Sequence, residues 1–244
     1  MRRYREGGKG WAPREGTANV GPRVRVELPL PCPSRRGEEG EDALTVRDEG
    51  YWPGGVMQKF RAQRPLVEAM LEGYGPDFLG VVEEEPDGVG VWRCGPDLTC
   101  VCNVNDLTFN GFARLCRGDY GARPTEEGHT ILAVNCSWTA GANIGQLWDR
   151  DLKRRARAII DDSAWEWVYF ARALRTSRGN RGVLLRAWPG PWELYRDVGA
   201  GAREWGFGGI GESNPPVAYG ELVLSSEARP DAAAITAALA AQPL

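Results

Sequence analysis

Thr130 to Cys136 (Thr-Ile-Leu-Ala-Val-Asn-Cys) is an apolar run of strand length, and together with the segments downstream of it this run limits how the chain can fold. A run this short and this apolar suits a buried strand. A charged helical stretch comes next, with its helix over Leu152–Ile160, and it closes at Asp162. Trp165, Trp167, Tyr169 and Phe170 then lead on to Trp188, Trp192 and Tyr195. The chain holds ten tryptophans, and they need either a well-filled core or a contact surface. No catalytic signature accompanies them, which turns the reading toward binding.

The rest of the chain adds short strands and a few helices. Strand candidates are Ala43–Val46, Phe78–Glu83, Gly90–Cys94, Leu98–Val104, Leu107–Leu115, Val183–Leu185 and Gly220–Ser225. Turns at Pro86-Asp87-Gly88 and Gly95-Pro96-Asp97 separate several of them. Val56–Glu72 has helical spacing, with Pro65 kinking one helix or starting a second, and Gly73 and Gly75-Pro76 end it. Ala164–Leu174 reads as helix or strand. Pro230–Ala241 is an alanine-rich helix opened by Pro230-Asp231. This mixture predicts an α+β fold: one domain over residues 49–244, with a mostly antiparallel or mixed sheet and a few helices.

Residues 1–48 have a different texture. They are rich in Gly, Pro, Arg and Glu, and Ser34–Asp42 is polar and full of helix and strand breakers. Such a segment buries too little apolar area to offset its chain entropy, so a flexible N-terminal arm is expected. The alternation at Val24–Leu30 marks an edge strand within it.

Charge and cysteine content narrow the function. The net charge is −3, with lysine only at Lys9, Lys59 and Lys153, so arginine carries almost all the positive charge. Arg150, Arg154, Arg155 and Arg157 are set beside Asp149 and Asp151 and do not read as a nucleic-acid stripe. No stretch reaches the roughly 20 apolar residues that span a bilayer, and the charged start lacks a secretory apolar core. The expectation is therefore a cytoplasmic protein that binds neither nucleic acid nor membrane. Six cysteines are too few in 244 residues for a disulfide scaffold and are expected as thiols.

Candidate chemistry is sparse. Cys94, Cys100, Cys102 and Cys116 lack the paired spacing of structural zinc, and Cys100 and Cys102 fall on one side of a strand. His129 is the sole histidine, so a cysteine- or zinc-dependent enzyme would have to use it, with Cys116 or Cys136 as nucleophile. Gly206–Gly211 is glycine-rich, but Pro215-Pro216 blocks the helix that a dinucleotide fingerprint needs. That loop could instead be the lid of a small-ligand module. No metal, cofactor or catalytic residue is predicted. The acidic turn Glu83, Glu84, Glu85 and Asp87, together with Trp188, Trp192 and Tyr195, is the predicted partner-binding set.

Several elements in order resemble the immunity protein 52 family. They are Tyr51-Trp52 before a helix, Asn110-Gly111 after a strand, and Val134-x-Cys136 before a small-residue loop with Asn143. Asp162-x-x-Trp165-x-x-Val168 comes next, then Trp192-x-x-Tyr195 after a Pro-Gly turn, then Gly220-x-Leu222-Val223 before a terminal helix. The resemblance spans residues 49–244. Residues 1–48 and the Trp-Pro-Gly-Gly turn at Trp52 depart from the family pattern. It implies a bacterial, cytosolic, non-catalytic protein that neutralises a cognate protein toxin by contact. A viral or phage structural subunit is the alternative, and self-association is open in either case.

Overall fold

A computed structural model describes residues 22–33, 44–46, 55–82, 88–120, 128–138, 141, 144–145, 148–160, 165–177, 179–196 and 220–241. The chain divides into two compact units: Met1–Val26 with Gly54–Glu166, and Glu27–Pro53 with Trp167–Leu244. In chain order the strands are β1 (Arg23–Glu27), β2 (Pro31–Pro33), β3 (Leu44–Val46), β4 (Pro76–Val81), β5 (Gly90–Cys94), β6 (Leu98–Cys102), β7 (Thr130–Val134), β8 (Trp165–Arg175), β9 (Arg181–Ala187), β10 (Trp192–Arg196) and β11 (Leu222–Ser226). The helices are α1 (Gly55–Leu71), α2 (Phe109–Cys116), α3 (Arg150–Ile160) and α4 (Ala232–Ala240), with a short 3-10 turn at Glu72–Tyr74. The fold is α+β with a mixed sheet, as the sequence predicts.

In the first unit the strand order is β1-β7-β6-β5-β4. β1 runs parallel to β7 and β7 parallel to β6, while β6, β5 and β4 form an antiparallel meander. Val24 lies opposite Leu132 and Cys100 opposite the same residue, so β7 is flanked on both sides. The strand expected over Val24–Leu30 is thus β1, which begins at Arg23 and ends at Glu27, with Val26 buried. Parallel strands need long covered crossovers, which is why β7 is apolar at successive positions instead of alternating.

α1 buries Phe60, Gln63, Val67 and Leu71, spaced three and four residues apart along one stripe. Pro65 lies inside this single helix, and both it and Arg61, whose carbonyl it cannot engage, are exposed to water. Phe60, Phe78 and Trp92 pack with ring centroids 5.0–6.3 Å apart. Gly90 is required beneath them, because a Cβ there would lie 2.5 Å from the Phe60 ring. A second aromatic group joins Phe109, Phe112, Trp138 and Trp165 across a core that also holds Val101, Ile131, Ala133 and Ile144.

The strand expected over Leu107–Leu115 is the helix α2. Asn105 turns the chain there, its Oδ1 accepting from the N–H groups of Leu107 and Thr108 at 2.9 and 3.2 Å. Phe109, Phe112 and Ala113 then share one buried face, so tertiary packing overrides the interruption at Asn110-Gly111.

In the second unit β8, β9, β10 and β11 form an antiparallel meander, which settles Ala164–Leu174 as strand. Phe170, Leu184, Trp192 and Leu194 pack under α4 through Leu239. Asp231 caps that helix, accepting from the Ala234 N–H at 2.7 Å, and Arg196 donates to the Ala238 carbonyl at its other end. Glu27 and Arg172 form an ion pair with the carboxylate buried.

Asn103, immediately after β6, holds the first unit together at one point. Its φ is 64°, and it is buried. Its amide donates to the carbonyls of Val56 and Gly88 at 3.2 and 3.1 Å and accepts from Gln63 Nε2 at 3.2 Å. Asn103→Ala should lower the unfolding free energy by about 3–5 kcal/mol, because it strands buried carbonyls and leaves a Cβ residue at positive φ. Asn103→Gly, which tolerates the backbone, should lose less. Denaturant unfolding of both variants measures the difference.

Candidate functional site

The predicted partner-binding residues divide three ways. Glu83, Glu84, Glu85 and Asp87 lie outside the described residues, as does the Gly206–Gly211 loop. Trp188 is 57% exposed in the turn between β9 and β10, with its backbone N–H donating to the Val168 carbonyl at 2.9 Å. Tyr195 is half-buried, its hydroxyl donating to Glu193 at 2.8 Å.

Trp192 is not a surface anchor. It is 3% exposed, sits opposite Arg186 and Ser226 in the sheet, and packs 5.3 Å from Phe170. Pro191 delivers it straight into β10, where residues 192 and 194 face the core and residues 193 and 195 the other side. Arg186 and Arg229 place guanidinium groups 5.5 and 5.4 Å from its ring centre. Trp188 is therefore the one aromatic residue of that segment that is mostly open to solvent.

The candidate cysteine and histidine chemistry is enclosed apart from Cys116, which is partly exposed. His129 is 2% exposed and its Nε2 lies 2.9 Å from the Thr99 hydroxyl. Cys100 and Cys102 are completely buried, and burial pushes both thiols far above the usual range, with neighbouring sulfurs adding to it. Burial likewise pushes Cys116 up to about 12, and the nearby Arg23 guanidinium only partly opposes it. Cys136 is buried and directs its Sγ at the Val134 carbonyl. A nucleophilic cysteine needs an accessible thiolate, and the raised values of Cys100, Cys102 and Cys116 disfavour that form. Among the described residues no group of three metal-ligating side chains comes together.

A different surface stands out on the first unit. Trp148 is 79% exposed directly ahead of α3. Asp149 begins this helix: its Oδ1 accepts from the Leu152 N–H at 3.2 Å and its carbonyl from the Lys153 N–H at 3.0 Å. Leu152 and Ala156 turn inward, so Arg150, Arg154 and Arg157 fall on one outward stripe and all are exposed. Arg154 meets Asp151 at 2.9 Å, a surface pair worth at most about 1 kcal/mol. Arg150 and Arg157 have no ion pair among the described residues. Arg150 also sits in the first helical turn, where the macrodipole disfavours a cation by about 0.3–1 kcal/mol. Helix stability does not account for it.

In the sequence, Asp149 and Asp151 balance these arginines and hide the stripe. Asp149 is committed to the cap, and helical spacing gathers the arginines on one side. Trp148 lies between two segments with clear periodicity and carries no signal of its own. Leu107, 94% exposed, projects from the β6–α2 connection. The connections after β6 and β7 leave the sheet at the same end, bridged by Asn105 and Ser137.

A family model described as "Domain of unknown function (DUF1995)" matches residues 11–236, including β1 and α3. Neither a curated protein nor a solved structure matches the chain. Nothing in these comparisons links it to the immunity protein 52 family.

The raised thiol values set a pH dependence. Cys116 should remain almost entirely a thiol at pH 8 in the folded state, against a substantial thiolate fraction when unfolded. Iodoacetamide labelling followed by peptide mass analysis should find Cys100 and Cys102 modified at least a hundredfold more slowly in the native protein than in denaturant, with Cys116 protected less. Their folded values are raised, so this stability is fully present below about pH 8.5 and is lost as pH climbs toward 12. A Cys116→Ser variant should flatten part of that decline.

Proposed function

We propose, for a chain that belongs to the DUF1995 family, a non-catalytic binding role exercised by protein–protein contact. Trp148 carries the reading. An indole 79% open to water at the head of a helix contributes nothing to the core, whereas exposed tryptophan and arginine are the residue types that anchor interfaces. Trp188, at 57%, offers a second exposed indole on the other unit. The interior placement of His129 and the neutral thiols supports binding over cysteine chemistry. Among the described residues, no helix is long and apolar enough to cross a membrane.

The immunity resemblance supplies one partner for this role: a cognate protein toxin met in the cytoplasm. Co-expression with the gene immediately upstream, scored by cell survival and co-purification, tests that partner. A stable complex whose affinity falls at least tenfold in Trp148→Ala, with the melting temperature unchanged, is the expected result. A complex indifferent to Trp148→Ala and Trp188→Ala would remove the exposed indoles from the role. Turnover of a substrate by the purified chain would overturn the non-catalytic reading.

A further inference from the structure

We propose that the Trp148–α3 surface recognises an acidic segment of a partner protein. This rests on the protein-contact reading and names the chemistry of the partner.

The α3 sequence, Arg-Asp-Leu-Lys-Arg-Arg-Ala-Arg-Ala-Ile-Ile, holds Arg150, Lys153, Arg154, Arg155 and Arg157 against Asp151 alone. Over its 11 residues it is about 16 Å long, enough to lie along a strand or turn of a partner. Residues 150, 154 and 157 are spaced four and three apart, so their guanidinium groups line one edge, opposite buried Leu152 and Ala156. Those inward residues belong to the core, which leaves the helix no apolar face to insert into a membrane. Elsewhere arginine lies over aromatic rings: Arg25 on Trp138, Arg64 on Phe78, Arg114 on Tyr120, and Arg229 on Trp167, Phe170 and Trp192. The stripe arginines have no such ring among the described residues. Fork-shaped guanidinium groups held in a row suit carboxylates, two hydrogen bonds at a time.

Net charge selects among anionic partners. The whole chain carries −3, so an extended polyanion such as a nucleic-acid duplex or an acidic bilayer meets an unfavourable overall field. A short acidic loop meets only the local stripe, while Trp148 at its end adds apolar contact area that a phosphate backbone would not use. The occupant is therefore a compact run of Asp and Glu with a neighbouring apolar or aromatic residue.

The test uses the full chain and a fluorescein-labelled dodecapeptide of alternating Asp and Glu with one central Leu, monitored by anisotropy. A Ser/Gly peptide of equal length, a 20-base-pair DNA duplex, and phosphatidylserine–phosphatidylcholine vesicles are the comparisons. Expected are binding of the acidic peptide alone, weakening between 50 and 200 mM salt, and an affinity loss of at least tenfold in the Arg150→Glu/Arg154→Glu/Arg157→Glu protein. The Arg→Gln triple, which removes the charge without reversing it and keeps a polar side chain, should lose less and guards against misfolding of the first variant. Equal peptide affinity in the wild type and both triples would overturn the proposal. Tighter binding of the duplex or the vesicles would also overturn it, as would self-association of the unliganded chain that the triples abolish. A protein partner that is lost with Trp148→Ala yet kept by both triples would leave protein contact standing and sink the acidic class alone.

Discussion

Parallel pairing of β1, β7 and β6 is the constraint on which the rest of the first unit depends. Three segments far apart in sequence, at residues 23–26, 98–102 and 130–134, must run in the same direction side by side. Parallel neighbours cannot be joined by a hairpin, so each connection becomes a long excursion that returns over the sheet. One such excursion carries α2, and the chain leaving β7 carries α3. The strands are then covered on both faces, which is why Ile131, Leu132, Ala133 and Val134 are buried in succession, with no polar alternation. Cysteine fits the same logic in β6, where Cys100 and Cys102 serve as small apolar residues.

Packing this tight leaves few places for polar groups, and those present are committed. Asn103 and Asn135 come directly after β6 and β7 at corresponding positions, both with positive φ, and both are buried. Asparagine accepts that backbone more readily than other residues bearing a Cβ, and its amide can then satisfy carbonyls that would otherwise be stranded. The Asn135 N–H reaches the Val26 carbonyl at 2.9 Å, and the Asn103 N–H reaches that of Val134 at 3.1 Å. These bonds carry the ladder past the strand ends, to the edge where the connections leave.

Tryptophan and arginine, the two residue types that give the composition its character, divide between interior and surface by what surrounds each. Trp92 and Trp192 are enclosed, and Trp138 is nearly so, with Arg25 stacked 4.6 Å from its ring centre and donating to the Cys136 carbonyl. Such arginines lay their planar groups on rings and keep a hydrogen bond as well, which lysine does poorly. Trp148 and the α3 stripe are what this interior arrangement leaves outside, and their exposure is the reason for reading them as contact residues.

Much of the fold was legible because periodicity reports burial directly. α1, α3, α4, and the strands β4, β5, β6 and β7 can be read from the spacing of apolar residues, and Asp231 marks its own helix start, while whether Pro65 lies within one helix or opens a second was left to the structure. α2 could not, because Asn110-Gly111 interrupts its pattern and the aromatic cluster that receives Phe109 and Phe112 is completed by Trp138 and Trp165, distant in sequence. The direction of the strands was equally hidden, since alternation and apolarity say nothing about which neighbour a strand will find. For the surface, the sequence determined how many tryptophan and arginine side chains the chain has to place. Tertiary structure alone decided that Trp192 is core while Trp148 is open, and that Asp149 caps a helix, with no ion pair to Arg150 among the described residues. Exposure is a property of what packs against a side chain, and that partner is chosen only when the chain closes on itself.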